Sequence, residues 1–139
     1  MKRSGLLNRD LNDVLASIGH LDTLCVCDAG LPIPEDRRRV DLAVVRNMPR
    51  FFPVLEEILK EFIVEKVIIA DETRLNSPRV VERLEKLLPG IEFQFVPHPE
   101  FKQMTKTAKG VVRTGEFTSF CNVILVAGVD KEAWDVAEL

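Results

Sequence analysis

Leu24-Cys25-Val26-Cys27-Asp28-Ala29-Gly30-Leu31-Pro32-Ile33-Pro34 divides sharply at Asp28. Four apolar residues precede it, and a run of turn formers follows. An uninterrupted apolar segment this short predicts a strand covered on both faces, as strands of parallel sheets are. The turn behind it places a carboxylate at the strand's carboxyl end. Val67-Ile68-Ile69-Ala70-Asp71 repeats the pattern. Working outward from these two strands, helical and strand signals alternate along the chain. The fold class is therefore α/β: a layered sheet with parallel pairs and helices packed on it.

The intervening elements follow from caps and periodicity. Asp10 is the expected N-cap of a helix that turns Leu11, Val14, Leu15 and Ile18 inward and ends at Gly19. Pro53 suits the first turn of a helix through Leu55, Ile58, Leu59 and Phe62. Ser77-Pro78 opens a helix with Val80, Val81, Leu84, Leu87 and Leu88 inward, stopped by Pro89-Gly90. Ile91 to Val96 is a strand with Phe93 and Phe95 on one face. A helix from Pro99 to about Ala108 precedes the strand Val111-Val112-Arg113, and Val123 to Val126 is the last strand. Val40 to Val45 is either a strand or an irregular apolar segment.

The 139 residues carry no linker, repeat or low-complexity run, so residues 1–139 read as one domain. A net charge of −3 gives no reason to expect a nucleic-acid partner. The triplet Arg37-Arg38-Arg39 follows Glu35-Asp36 and reads as a solvated loop. No signal peptide and no membrane-length apolar run are found. Cys25, Cys27 and Cys121 are an odd set with no metal-binding spacing, which points to buried reduced thiols of a cytoplasmic protein and no metal site.

Chemistry concentrates on few residues. The chain has only two histidines, His20 and His98. His20 lies between a helix terminator and the Asp28 strand. His98 opens a helix, where the dipole and Lys102 one turn on favour the neutral imidazole. Asp28 and Asp71 end strands, where sites gather in open α/β sheets, and the loop from Thr114 to Asn122 belongs to the same geometric set. Each also has an ordinary structural reading: a surface or capping histidine, an Asp bonded to its own turn, an Asn that forms a turn.

Taken together, the pieces Ser17-Ile18-Gly19-His20-Leu21-Asp22-Thr23, Asp28-Ala29-Gly30-Leu31-Pro32-Ile33-Pro34, Arg39-Val40-Asp41-Leu42-Ala43, His98-Pro99-Glu100-Phe101-Lys102, Val112-Arg113-Thr114-Gly115-Glu116 and Asn122 to Val129 resemble the D-ribose pyranase (ribose mutarotase) family, related to the fucose mutarotases. The resemblance covers the chain to about Val129. It implies the single-domain layered sheet of that family and interconversion of pyranose and furanose forms of D-ribose or a related monosaccharide. His20 matches the family's proton donor, Asp28 and His98 match sugar-binding positions, and Phe120, Cys121 and Asn122 occupy a third binding segment. The resemblance also implies a cytoplasmic enzyme without cofactor, assembled as a homo-oligomer, typically a decamer of two stacked pentameric rings with sites near subunit boundaries.

Two departures stand out. The family usually carries Tyr-Ala-Asn where this chain has Phe120-Cys121-Asn122, so a hydroxyl is missing. Residues 130–139 extend past the usual end, either as a short helix anchored by Trp134 or as a tail that reshapes the pocket entrance. The missing hydroxyl motivates a second reading, a catalytically weakened sugar-binding or assembly protein of the same fold. A metal-dependent hydrolase or isomerase built on Asp28 and Asp71 is the third and weakest.

Overall fold

A computed structural model describes residues 1–133. Six strands form one mixed sheet: β1 (Thr23–Cys27), β2 (Arg39–Asp41), β3 (Val64–Ala70), β4 (Glu92–Val96), β5 (Gly110–Arg113) and β6 (Val123–Ala127), in the spatial order β2-β5-β1-β6-β3-β4. The helices are α1 (Arg9–Ala16), α2 (Phe51–Leu59), α3 (Asp71–Asn76), α4 (Pro78–Leu87) and α5 (His98–Met104). The pairs β1–β5, β2–β5 and β3–β4 are parallel, whereas β6 runs antiparallel to both β1 and β3. Five strands therefore end at the same edge of the sheet at which β6 begins.

The alternation inside β1 sorts its side chains between two cores. Leu24 and Val26 join Leu11, Val14, Phe51, Leu55, Ile58 and Leu84 on the face covered by α1, α2 and α4. Cys25 and Cys27 join Ile68, Phe101, Val111 and Ile124 on the face covered by α5. Both faces of β1 are thus dry, which explains its unbroken apolar run. Each fully buried Leu, Ile or Phe side chain contributes about 1.5–3 kcal/mol.

Local chemistry moves several boundaries. Asn8, not Asp10, caps α1: its Oδ1 accepts the Leu11 amide at 2.8 Å, which leaves Asp10 inside the first turn. The helix ends at Ala16, and the Gly19 amide instead donates to Asp22 Oδ2 at 2.8 Å in the turn that leads to β1. The ambiguous stretch after Val40 contributes only the three-residue β2 and then becomes irregular. Asp71 does not merely end β3. It starts α3, whose existence no apolar periodicity announced, because Asp71-Glu72-Thr73-Arg74 are all polar. Gly115 lets two loops touch, since a Cβ there would lie 2.5 Å from the Met48 carbonyl oxygen. Among the described residues no helix is long and apolar enough to cross a membrane. The expected tail helix around Trp134 lies outside the described residues.

Candidate active site

The common strand-end edge gathers Asp28 after β1, His98 after β4 and Asn122 before β6. They line a cleft of about 220 Å³ together with Gly30, Leu31, Pro32, Ser119 and Phe120. A second cavity of about 290 Å³ adjoins it through Asp28, Gly30 and Ser119 and is walled by Arg113, Glu116 and Phe117. β6 lies between β1 and β3, so the crevice opens where the chain changes direction across the sheet.

Asp28 is held by its own turn and by Asn122. Its Oδ1 accepts the Gly30 and Leu31 amides, both at 2.9 Å. Its backbone amide donates to Asn122 Oδ1 at 2.8 Å. Burial pushes the carboxyl above its ordinary value, opposed by the Gly30 and Leu31 amides and by the Asn122 side chain. The carboxylate is thus fixed in place yet poorly solvated, a state that favours an incoming hydroxyl donor.

His98 begins α5, and its backbone amide donates to Glu72 Oε2 at 2.7 Å. The ring meets Phe120 edge-on, centroids 5.0 Å apart, and lies nearly parallel to Phe101 at 6.3 Å. Its pKa is lowered chiefly by burial, with Lys102 adding to the effect and Glu72 and Asp28 opposing it. Burial, rather than position in the helix, is the main reason the imidazole is held neutral. Its Nδ1 is buried and has no hydrogen-bond partner among the described residues.

Phe120 adopts a left-handed backbone, φ 58°, which costs a non-glycine residue about 1 kcal/mol or more. That geometry turns its ring toward His98. It also sends the next side chain away: Cys121 is buried in the core beneath α2 and α4, and burial pushes its thiol pKa far above the ordinary value. Of the segment Phe120-Cys121-Asn122, the first and third side chains line the cleft and the middle one does not.

His20 stands apart. It precedes β1 and therefore lies at the other edge of the sheet, roughly 15 Å from Asp28 at the usual rise of a strand. Its exposed ring places Nε2 3.0 Å from Glu65 Oε2, beside a shallow depression that includes Ile63, Ala127 and Gly128. Within one chain it does not meet Asp28, His98 or Asn122. Asp71 also stays out of the cleft, its carboxylate paired with Arg74 at 2.8 Å. Among the described residues no cluster of His, Cys, Asp or Glu is suited to hold a metal ion.

Three supporting residues escaped the reading of the sequence. Glu72 and Thr73 sit on the unforeseen α3. Glu116, buried beside the cleft, accepts the amides of Phe51 and Thr118 at 3.3 and 3.1 Å. Burial works against its ionisation, but the Thr118 and Phe51 bonds and the Arg50 charge win and lower its pKa. Its motif, Arg113-Thr114-Gly115-Glu116, was visible, and its structural duty was not.

Residues 1–130 match the RbsD / FucU transport protein family. The chain belongs to that family. Its relatives include the D-ribose pyranase of Geobacillus thermodenitrificans, 46% identical over 130 residues that make up 94% of this chain and 98% of the relative. D-ribose pyranase 2 of Rubrobacter xylanophilus is 48% identical and is matched across 99% of this chain and 90% of its own length, so the similarity runs into the C-terminal extension. Among solved structures, Bacillus subtilis RbsD complexed with D-ribose superposes with a TM-score of 0.89 at 42% identity, covering 94% of this chain and 99% of that one. The fucose mutarotase of Streptococcus pneumoniae, in complex with L-fucose, shares the fold at a TM-score of 0.70 and 21% identity, with coverage of 89% and 94%. The expected family and its α/β fold are both borne out.

Proposed function

We propose that this RbsD/FucU family member is a D-ribose pyranase, an isomerase that interconverts pyranose and furanose rings without a cofactor. The observation that carries the reading is the convergence of a desolvated carboxylate, a buried imidazole and a primary amide on one cleft at the strand ends. Relatives that match nearly the whole chain bear the name D-ribose pyranase, and the RbsD of B. subtilis was solved with D-ribose.

The chemistry asks for little more. Opening ribopyranose removes the proton from the anomeric hydroxyl, breaks the bond from C1 to the ring oxygen and protonates that oxygen. The anomeric carbon becomes an aldehyde. Closing through the 4-hydroxyl reverses the transfers and yields the furanose. Both transfers need only a positioned acid and base. His98, neutral near pH 7, takes the proton from a sugar hydroxyl. Asp28 and the Asn122 amide hold neighbouring hydroxyls, and Phe120 packs on an apolar face of the ring.

His20 supplies the proton to the ring oxygen from a neighbouring copy of the chain. Its place at the far edge of the sheet supports this reading. So do two sets of exposed apolar side chains: Val44, Val45, Met48 and Phe117 near the cleft, and Leu21 and Ile63 near His20. Two unlike ends that meet generate a ring when the rotation between copies closes. A decamer of two pentameric rings, acting in the cytoplasm to supply furanose for ribose catabolism, is the assembly and setting that accord with it.

Saturation-transfer NMR on ribose tests the activity. Wild type accelerates exchange between pyranose and furanose or open-chain anomeric signals, and His20→Ala abolishes the acceleration. A wild-type protein that binds ribose or another aldose without accelerating exchange would instead be the weakened binding or assembly protein.

A further inference from the structure

Two consecutive residues of α3 hold opposite walls of the cleft. Glu72 Oε2 accepts the backbone amide of His98 at 2.7 Å. Thr73, fully buried, donates its hydroxyl to the Phe120 carbonyl at 2.7 Å. That carbonyl also accepts the Asn122 amide at 3.0 Å, and Asn122 Oδ1 in turn accepts the Asp28 amide at 2.8 Å. Just beyond the helix, the Ser77 hydroxyl donates to the Ser119 carbonyl at 2.8 Å. One wall is thus tied to Glu72, and the other, from Ser119 to Asn122, hangs on Thr73 and Ser77.

The left-handed backbone of Phe120 makes this arrangement more than scaffolding. A non-glycine residue persists there only when its surroundings over-determine it. The anchored carbonyl provides that constraint, and the resulting turn sets the Phe120 ring edge-on to His98 at 5.0 Å. We infer that α3 positions the sugar cleft, with Thr73 holding Phe120 in the conformation that covers His98 and Glu72 fixing His98 against it. Thr73 does not itself line the cleft and reaches it only through the Phe120 carbonyl, so it is a positioning residue. The assignment of a role to it rests on the reading of this cleft as the sugar site.

The groups that face His98 are Lys102 on its own helix, Glu72 on α3 and Asp28 at the end of β1; burial is the largest influence, Lys102 adds to it, and the two carboxylates oppose it. Thr73→Val keeps the shape of the side chain and removes the donor. Phe120 then relaxes, water reaches the imidazole, and the titration of His98 moves up toward the ordinary value of a solvated histidine. Thr73→Ser keeps the hydroxyl and leaves it in place.

The chain's two histidines make the measurement direct, because imidazole NMR of the sugar-free protein shows only His20 and His98. In Thr73→Val the His98 titration rises. The KM for ribose rises roughly tenfold, more than kcat falls, and Thr73→Ser restores both. A folded Thr73→Val with wild-type His98 titration and KM overturns the proposal, as does a Thr73→Ser protein equally impaired. If Thr73→Val does not fold, Glu72 decides: Glu72→Ala weakens sugar binding, whereas Glu72→Gln keeps an acceptor for the His98 amide and keeps binding. Equal effects of the two overturn it. A wild-type protein inert toward ribose would sink the pyranase reading alone, since the histidine titrations are read without sugar.

Discussion

Asn122 Oδ1 accepts the backbone amide of Asp28 at 2.8 Å, joining residues 94 positions apart in the chain. The bond locks the end of β1 to the start of β6, the one antiparallel partner of β1. Asn122 is almost wholly buried, so its removal leaves the Asp28 amide unpaired in a dry site. Asn122→Ala is expected to lower stability by about 1–3 kcal/mol and to weaken ribose binding as well. Denaturant melts and calorimetric titration with ribose measure the two losses. A variant that lost only affinity would show that the amide serves the sugar alone.

Asp28 trades stability for function. Its pKa is raised in the fold above the ordinary 3.8, chiefly by burial. The sign follows from proton linkage: a raised carboxyl contributes stability at low pH, which is lost as pH rises through the folded value. At pH 7 the buried charge is a cost. Asp28→Asn keeps an oxygen for the Gly30 and Leu31 amides and carries no charge, so it is expected to melt no lower than wild type at pH 7. Its advantage shrinks as pH falls through the carboxylate range, while ribose affinity is lost at pH 7. Melting curves from pH 3 to 7 test this, and a strongly destabilised Asp28→Asn at pH 7 contradicts it.

His98 has the opposite linkage. A base with a depressed pKa contributes stability that is present above the ordinary 6.5 and lost as pH falls toward the folded value. Stability should therefore decline as pH falls below 6.5, ribose turnover should decline only as pH approaches the lower folded value, and His98→Gln should flatten the part of the stability decline that falls in this window. A decline of the same size in the variant would assign it to other groups.

The sheet was legible because burial on both faces writes itself into sequence as unbroken apolar runs such as Leu24–Cys27 and Val67–Ala70. The cleft residues Asp28, His98 and Asn122 were legible for a related reason: each sits where an apolar strand meets a turn. α3 was not, since its six residues pack almost nothing apolar and owe their place to hydrogen bonds with chain far away. The remoteness of His20 was also hidden. A strand of five residues carries the chain across the whole sheet, and eight positions in sequence look deceptively close. The turn of Cys121 away from the cleft and into the core depended on the left-handed backbone of Phe120, which no Phe in a sequence announces.

That turn makes Cys121 separable from the site. The side chain fills the core near α2 and α4, and its high pKa keeps the thiol protonated and inert. Cys121→Ala is expected to lose about 1 kcal/mol of stability to the small cavity and to keep ribose turnover within about twofold. The native protein should resist alkylation at pH 8 and react once unfolded in urea. A large fall in turnover with intact folding would place the thiol at the sugar after all.

The separation of His20 from the cleft leads to the sharpest test. His20→Ala spoils the donor edge of a subunit, and His98→Ala spoils its cleft edge. If catalysis joins the donor of one copy to the cleft of the next, each variant alone is inactive, yet a mixture that exchanges subunits contains some intact sites. Random pairing of edges in a closed ring makes about a quarter of the junctions complete, so an equimolar mixture refolded together should recover about a quarter of wild-type exchange. The doubly substituted chain, refolded in the same way, recovers nothing with either single variant, because no chain then carries His20 in the one mixture or His98 in the other. Failure of the two single variants to complement, with mixed oligomers demonstrated by mass spectrometry, would require His20 and His98 to act within one chain, and the distance across the sheet would then have to close by a movement of His20 itself.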